Sequence, residues 1–308
     1  MDIIVGANAL PRYRPGGSPA NVALGLGRLG HPVRLATRVG NDDFGSLVRK
    51  HLEGSGVGLA PGSAVDATTS TALAVLDAAG SANYTFDITW ALSETVEEAL
   101  RDGPPAHVHT GSIATALSPG ADQVFSILHA LRTSATVSYD PNLRPALLRP
   151  AEQERERVEQ LVVMSDVVKA SEEDLAWLHP DENPDKTAAR WAQGGPALVI
   201  LTLGANGARA WWRHGCQDIA PVPVQVIDTV GAGDAFMAGL TSRLLHAGLL
   251  GGGLGAEAAT ARAALRAATD TARLPPVLSD ALAVAARTAA FTCAREGADP
   301  PTAAELVV

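Results

Sequence analysis

Short apolar runs rich in β-branched residues alternate with longer helical patterns along most of the chain. Helical patterns such as "ANVALGLGRLG", "ADQVFSILHALR" and "EQERERVEQLVVM" separate the runs. Apolar strands that alternate with helices indicate a mostly parallel sheet with helices on both faces. The sequence therefore predicts an α/β fold with a three-layer αβα core. The predicted strands lie near Ile3, Leu35, Val108, Asp140, Ala170 and Ile200.

One segment does not follow this alternation. Residues 68–90, "TTSTALAVLDAAGSANYTFDITW", alternate in the manner of a strand on both sides of a "DAAGS" turn. Such a pattern is typical of a β-hairpin outside the main sheet. We therefore expect residues 1–67 and 91–308 to form the core and residues 68–90 to form a small β lid.

The overall charge excludes some classes of partner. The 308 residues carry a formal net charge of −9, which argues against a broad surface for nucleic acid or anionic membrane. Cys216 and Cys293 are too few for a disulfide framework, and no signal-peptide pattern or bilayer-spanning apolar run occurs. We expect a cytoplasmic protein with no nucleic-acid or membrane partner.

The stretch "QVIDTVGAGDAFMAGL" combines a small-residue turn with a carboxylate at the start of an apolar helix. The first N–H groups of such a helix form an anion site, which Gly231, Ala232 and Gly233 would let a ligand approach closely. Asp234 could accept a proton from an attacking hydroxyl beside that site. Asp also caps helices commonly, so these residues alone leave catalysis and capping both open.

Two strings in this chain carry a family resemblance. "DTVGAGDAFMAGL" resembles the carboxy-terminal signature of the ribokinase-like PfkB sugar kinases, and "PGGSPANVALGLGRLG" resembles their amino-terminal signature. Other pieces fit in order across nearly the whole chain, and "SYDPNLRP" looks most like the fructokinase-type branch. The resemblance implies a Rossmann-like, ribokinase-like core with a β-sheet lid, and ATP-dependent phosphorylation of a sugar.

The resemblance also assigns roles to single residues. It implies Asp234 as catalytic base and Gly231, Ala232 and Gly233 as the anion hole. The sugar is expected to contact Gly16, Gly17, Asn21, Asp140, Asn142, Arg144 and Asp234. Without the resemblance, "GGSPAN" is also a turn that leads into a helix starting near Asn21, with Asn as its cap. Arg144 could equally be a surface residue beside a proline turn.

The remaining assignments concern the nucleotide and ions. Those for ATP are Lys169, Ser171, Thr202, Gly204, Gly207 and Gly233. No "GxxxxGKS" string occurs, so the chain is not a P-loop enzyme. Asp174 would order water on Mg²⁺, although Ser171 and Asp174 also match a simple capping box. A weaker match implies a K⁺ site at Asp228, Val230, Arg295 and Gly297.

His107 and His109 lie on the same face of a predicted strand. Two histidines can suggest a metal site, but no third ligand lies near them in the sequence. We therefore expect them to pack or to form hydrogen bonds rather than to hold a metal.

The resemblance is least complete near the amino-terminus. Family members carry a sugar-gripping Asp and a lid strand between the first strand and the Gly-Gly motif. Here "IIVGANAL" leads directly into "PRYRPGGSPAN", and no Asp lies between Asp2 and Asp42. The sequence therefore predicts a missing segment near residues 10–16, either deleted or absent from the printed chain. The intact look of both flanking halves favours the second account.

Together these observations predict transfer of the γ-phosphoryl group of ATP to a terminal hydroxyl of a small sugar. Fructose is the first choice, with ribose, 2-keto-3-deoxygluconate and nucleosides as alternatives. A catalytically silent sugar- or nucleotide-binding regulator is the other class, and the shortened amino-terminal region motivates it. The expected partners are sugar and ATP, and the lid offers a surface for a homodimer.

Overall fold

The computed structural model describes residues 1–5, 10–76 and 82–306. The strands of this part of the chain are β1 (Asp2–Val5), β2 (Arg12–Arg14), β3 (Val33–Leu35), β4 (Val39–Gly40), β5 (Val57–Leu59), β6 (Ala64–Val65), β7 (Thr71–Leu76), β8 (Ala82–Asp87), β9 (His107–Gly111), β10 (Thr136–Asp140), β11 (Val167–Ser171), β12 (Leu198–Thr202), β13 (Ala208–Trp212) and β14 (Gly215–Ile219). The α-helices are α1 (Ser18–Arg28), α2 (Asp43–Glu53), α3 (Glu94–Asp102), α4 (Gly120–Leu131), α5 (Ala151–Met164), α6 (Glu172–Leu178), α7 (Pro184–Gly194), α8 (Ala232–His246), α9 (Ala258–Thr269), α10 (Pro276–Cys293) and α11 (Ala303–Leu306).

The central sheet has six strands in the order β14-β13-β12-β11-β10-β9. Strands β9 to β12 run parallel, and β13 and β14 continue the sheet as antiparallel strands. The four parallel strands were predicted from their apolar runs, and that prediction is confirmed. The first four residues of β12, "LVIL", are buried and apolar because helices cover both faces of the sheet.

Helices cover the two faces of this sheet with separate cores. On one face, Leu198 and Ile200 pack with Met237 and Leu240 of α8. On the other face, side chains of β10 to β12 pack with residues of α4 to α7, including Trp191. The predicted three-layer αβα core is therefore confirmed.

A second sheet forms the lid, with strand order β2-β1-β7-β8. Strands β7 and β8 pair in antiparallel fashion from Thr71↔Asp87 to Leu76↔Ala82. The hairpin expected within residues 68–90 is therefore present. Part of its predicted turn, residues 77–81, lies outside the described residues.

The first strand differs from the prediction. We expected the run near Ile3 in the central sheet, but β1 pairs in parallel with β7 and in antiparallel fashion with β2. Strands β1 and β2 thus belong to the second sheet rather than to the central sheet, and the missing segment near residues 10–16 stays a prediction. The run near Leu35 also lies outside the central sheet, since β3 pairs with β5.

The loops around the site follow from this arrangement. In an open parallel sheet, ligands bind beyond the carboxyl ends of the strands. Strands β10, β11 and β12 end at Asp140, Ser171 and Thr202 on that edge. In the described residues, no helix is both long enough and apolar enough to span a bilayer.

Candidate active site

The turn before α8 has the geometry of an anion site. Gly231 precedes the helix in the left-handed region, with a φ of 76°, and Ala232 is the first helical residue. A Cβ on Gly231 would lie 2.5 Å from the Cβ of Ala298, so the position has no room for a side chain. The Ala232 N–H donates to the Thr229 carbonyl at 3.2 Å. The N–H groups of Gly233 and Asp234 come next in the first turn, where a helix offers them no acceptor and an anion can bind.

Asp234 is the third residue of α8 and does not cap it. Its Oδ1 accepts a hydrogen bond from Ser18 Oγ at 2.7 Å, and its Oδ2 accepts one from Asn21 Nδ2 at 2.8 Å. The N-cap position is occupied by Gly231, and no side chain caps this helix. The capping interpretation of Asp234 is therefore wrong, and its carboxylate is oriented by α1 instead.

Helix α1 contributes these two donors from its first turn. The helix begins at Ser18, three residues earlier than predicted, and Gly17 is its N-cap with a φ of 107°. Asn21 is therefore not a cap, and its amide contacts the carboxylate that the sugar hydroxyl would face. The sequence analysis missed Ser18, although its place directly after the Gly-Gly pair was the available signal.

Lys169 and Asp140 form a buried ion pair beneath the site. Lys169 Nζ lies 2.9 Å from Asp140 Oδ2, and both side chains are almost wholly buried. Burial raises the pKa of Asp140 to about 7, although Lys169 opposes the rise. Burial alone would lower the pKa of Lys169, but the neighbouring carboxylates, Asp140 foremost, outweigh it and raise that pKa.

This pair changes the role expected for Asp140. A sugar-binding carboxylate must reach the ligand, whereas Asp140 is wholly buried and points to Lys169. Its assignment to the sugar stays a prediction that this pairing does not support. Lys169 lies close to the anion turn, because a Cβ on Gly233 would be 3.3 Å from its Nζ.

Asp2 supplies a second carboxylate that the sequence analysis missed. A Cβ on Gly16 would overlap Asp2 Oδ2, so the carboxylate lies directly against the Gly-Gly motif. Burial raises the pKa of Asp2, while the Met1 amino group and Arg144 oppose the rise. Gly16 and Ser18 are two positions apart, so one short segment touches Asp2 and holds Asp234.

The loop after β10 brings Arg144 to the same region. Asn142 adopts a positive φ of 37°, and Arg144 Nη1 donates to Asn142 Oδ1 at 2.6 Å. Arg144 is exposed and close enough to influence the charge of Asp2. The assignment of Arg144 to the sugar stays a prediction, which its influence on Asp2 supports.

The predicted nucleotide residues lie along the ends of β11 and β12. Ser171 and Thr202 are register partners in the sheet, and Thr202 Oγ1 donates to the carbonyl of Ala170 at 3.3 Å. Gly204 and Gly207 both have positive φ values, 55° and 87°, in the turn that follows. The structure brings these residues to one edge of the sheet.

Asp174 forms with Ser171 the capping box that their spacing in the sequence indicated. Its Oδ2 accepts from the backbone N–H and the hydroxyl of Ser171, and Ser171 Oγ accepts from the Asp174 N–H. Its Oδ1 accepts from the Leu143 N–H at 2.7 Å. Both carboxylate oxygens of Asp174 thus accept hydrogen bonds within the chain, and its role in ordering water on Mg²⁺ stays a prediction.

Asp228 joins the two segments expected to bind a monovalent cation. Its Oδ1 accepts from the Val230 N–H at 3.0 Å, and its Oδ2 accepts from the Gly297 N–H at 2.8 Å. The Arg295 side chain pairs with Glu305 and lies 3.6 Å from Asp299. Among the described residues, no group of three or more acidic, His or Cys side chains could hold a metal.

The two histidines of β9 are hydrogen-bonded within the sheet. His107 contacts Thr136 Oγ1 at 2.9 Å and Ser138 Oγ at 3.0 Å, and His109 contacts Ser138 Oγ at 3.0 Å. Burial lowers the pKa of His107 to about 4 and that of His109 to about 3. The predicted hydrogen bonding of these two side chains is confirmed.

Comparison with known proteins places this arrangement in a family. The model of the pfkB family of carbohydrate kinases matches residues 5–304. The fructokinase of Rhizobium leguminosarum bv. trifolii is 32% identical over 253 residues, which are 81% of this chain and 77% of that protein. The fructokinase of Klebsiella pneumoniae is 34% identical over 243 residues, 76% of this chain and 78% of that protein.

A solved structure shows the same fold. A double mutant of the fructokinase from Vibrio cholerae O395, crystallised with fructose, ADP and a potassium ion, superposes with a TM-score of 0.77. The two sequences are 28% identical, and the match covers 99% of this chain and 94% of that chain. The ribokinase-like fold expected from the sequence is thereby confirmed.

Proposed function

The chain belongs to the pfkB family of carbohydrate kinases and is an ATP-dependent sugar kinase, and from this premise we propose that fructose is its acceptor. The two curated relatives described above are fructokinases, and the solved structure holds fructose. The observation that carries the site assignment is the position of Asp234. It lies at the start of α8 behind the Gly231–Gly233 turn, and α1 fixes its orientation.

In the proposed reaction, the sugar lies against the Gly-Gly motif between Asp2 and Asp234. Asp2 accepts hydrogen bonds from sugar hydroxyls, and Arg144 and the backbone of Gly17 add further contacts. Asp234 accepts the proton of the terminal hydroxyl as its oxygen attacks the γ-phosphorus in line, and ADP leaves. The N–H groups at the start of α8 and the Lys169 charge stabilise the transferring phosphoryl group.

ATP is proposed to lie along Thr202, Gly204 and Gly207. Mg²⁺ would neutralise the charge of the phosphates, and Asp174 would help to hold it through water. Asp228 shapes a loop whose carbonyls could bind K⁺. We expect faster turnover in KCl than in choline chloride at equal ionic strength, and equal rates would remove the K⁺ assignment.

Asp2 also bears on the alternative of a silent binding protein. That alternative rested on the apparent absence of a sugar-gripping carboxylate near the amino-terminus. Asp2 lies against Gly16 and fills that role in the proposal. The silent regulator therefore loses its motivation.

Two further expectations stay proposals. Homodimerisation through the lid is supported by Tyr13 and Val75, which are exposed on the lid sheet. A cytoplasmic location is supported by free thiols at Cys216 and Cys293.

A coupled assay that detects ADP tests the acceptor. Fructose, ribose, 2-keto-3-deoxygluconate and adenosine are compared with ATP and Mg²⁺, and we expect fructose to give the highest kcat/KM. A higher value for another sugar would transfer the assignment to that sugar.

The Asp234→Asn variant tests the base. We expect kcat to fall by a factor of about 10² or more while fructose and nucleotide binding survive, since the amide keeps the shape but cannot accept the proton. Asp122→Asn is the matched control, because Asp122 is also the third residue of its helix, α4, and is exposed. An unchanged kcat in Asp234→Asn would contradict the assignment.

A further inference from the structure

Two arginines of the lid converge on one carboxylate of the core. Arg12 and Arg14 are two residues apart on β2, so their side chains leave the same face of the lid sheet. Arg12 Nη1 lies 2.6 Å from Glu296 Oε1, and Arg14 pairs with the same oxygen. We call these three residues the Glu296 latch. It joins segments separated by more than 280 positions in the chain.

The core end of this latch is the loop that builds the anion turn. Arg14 lies against Gly297, where a Cβ would overlap its guanidinium, and Gly297 has a positive φ of 76°. The Gly297 N–H donates to Asp228, and the next residue, Ala298, packs against Gly231. One loop therefore contacts the lid, the candidate cation loop and the turn before α8.

The lid end of the latch is next to the proposed sugar carboxylate. Arg14 is the direct cross-strand partner of Asp2 in the register of β1 and β2. Side chains at such paired positions lie on the same face of a sheet. A displacement of β1 that moves Asp2 must therefore also move Arg14 and its contact with Glu296 and Gly297.

We propose that Arg14 and Glu296 are positioning residues that couple sugar binding under the lid to the geometry of the anion turn. When the sugar holds Asp2 and the lid, the latch holds the 295–299 loop against Gly231. The nucleotide phosphates then meet a turn that is already formed. Sugar and nucleotide thus bind with positive coupling, and by linkage each raises the affinity of the other by the same factor. This proposal rests on Asp2 as the sugar carboxylate.

The strength of the latch suits a reversible contact. The Arg12 and Glu296 side chains are each 57% exposed, and that of Arg14 is 27% exposed. Exposed ion pairs of this kind change an equilibrium by roughly two- to fivefold. Such a contact can form and break during turnover, and salt should weaken it.

Calorimetry of ligand binding tests the proposal. The dissociation constant of fructose is measured with and without saturating AMP-PCP, a non-hydrolysable ATP analogue, and the ratio gives the coupling factor. We expect a factor above 1 in the wild-type enzyme and a decrease of about two- to fivefold in Glu296→Gln. Arg14→Met should lower the factor similarly, and the double variant should lower it little further, because both changes break one contact.

Asp280→Asn is the matched control. It removes the ion pair of Asp280 with Arg243, whose side chains are similarly exposed, at 47% and 45%, at the far end of α8. The control should keep the wild-type coupling factor, and all variants should keep the wild-type melting temperature. A wild-type factor of 1, or an unchanged factor in Glu296→Gln, would overturn the proposal. If the coupled ADP assay gives a higher kcat/KM for another sugar, the calorimetry uses that sugar in place of fructose. A wrong choice of substrate is thereby distinguished from a wrong role for the Glu296 latch.

Discussion

The sheet side of the site holds its charges in buried contacts, whereas the lid side holds them at the surface. Lys169 and Asp140 are 4% and 1% exposed, and Asp234 receives two side-chain donors from α1. Across the site, Arg12 and Glu296 are both more than half exposed. Both pairs join a cation to a carboxylate at similar distances, yet their surroundings differ completely.

This difference separates two tasks. Breaking a buried pair leaves an uncompensated charge in a medium of low polarity, so the groups around the transferring phosphoryl stay fixed. Breaking an exposed pair returns both groups to water at little cost. The sheet side is therefore preorganised for chemistry, and the lid side is free to respond to a ligand. The following variants test that contrast.

Lys169→Met should have the largest effect, because it leaves Asp140 buried without its partner. We expect the free energy of unfolding at pH 8 to fall by about 3 kcal/mol or more. The loss should be smaller at pH 5.5. The pKa of Asp140 is raised above its unfolded value, so the native state keeps a proton that the unfolded chain has lost, and stability falls as the pH rises. Urea denaturation at the two pH values measures both effects.

The double variant Lys169→Met/Asp140→Asn is the control for that prediction. It removes the buried charge and should recover most of the stability at pH 8. An equal loss at both pH values would show that packing, rather than the unpaired carboxyl, causes the destabilisation.

Gly16→Ala should affect the lid side instead. The added methyl would overlap Asp2 Oδ2 and displace the carboxylate, while Asp234 keeps its contacts with α1. We expect the KM for fructose to rise about tenfold, equivalent to about 1.4 kcal/mol, with a smaller change in kcat. Steady-state kinetics measures the two parameters separately.

Gly194→Ala is the matched substitution, because a Cβ there meets no atom within 4 Å. It should leave both kinetic parameters unchanged. A fall in kcat without a rise in KM for Gly16→Ala would contradict the separation of sugar binding on the lid side from chemistry on the sheet side.

His109→Asn should give the smallest effect, on the acid sensitivity of the fold. The pKa of His109 is lowered to about 3 and that of His107 to about 4, so the unfolded chain takes up protons first as the pH falls. The two neutral rings therefore reduce the free energy of unfolding by nothing above pH 6.5, and by an increasing amount as the pH falls from 6.5 towards 4. Each histidine adds up to about 1.4 kcal/mol per pH unit to the slope of the free energy of unfolding against pH.

Removal of His109 should therefore make the melting temperature fall less steeply between pH 6.5 and 4.5. His129→Asn, at an exposed position on α4, should leave the slope of the wild type unchanged. A wild-type slope in His109→Asn would contradict the buried neutral state of this ring.

The parts of the site that were predicted correctly are contiguous in sequence. The Gly231–Asp234 turn and its helix lie within one string, so local geometry determines their relation. Strands β9 to β12 were recognisable as short strand-like runs between helical patterns, and β12 has the apolar sequence expected of a strand buried on both faces.

The parts that were missed depend on distant pairing. A short apolar run such as "DIIV" does not encode which sheet it joins, so β1 was assigned to the wrong one. The pairing of Asp140 with Lys169 was not predicted, because a place at the end of a strand does not fix which neighbour the side chain meets. Asp2 was overlooked for the same reason, since only the lid pairing brings it to Gly16.

The contact between Ser18 and Asp234 has a consequence for how the protein is made. The two residues are 216 positions apart. At a synthesis rate of roughly 5–20 residues per second, roughly 10–40 s pass between the emergence of α1 and that of α8. During that interval the apolar side of α1, with Val22 and Leu26, has no partner from α8. Nascent chains therefore pass through a stage in which this apolar surface of α1 still lacks its final cover.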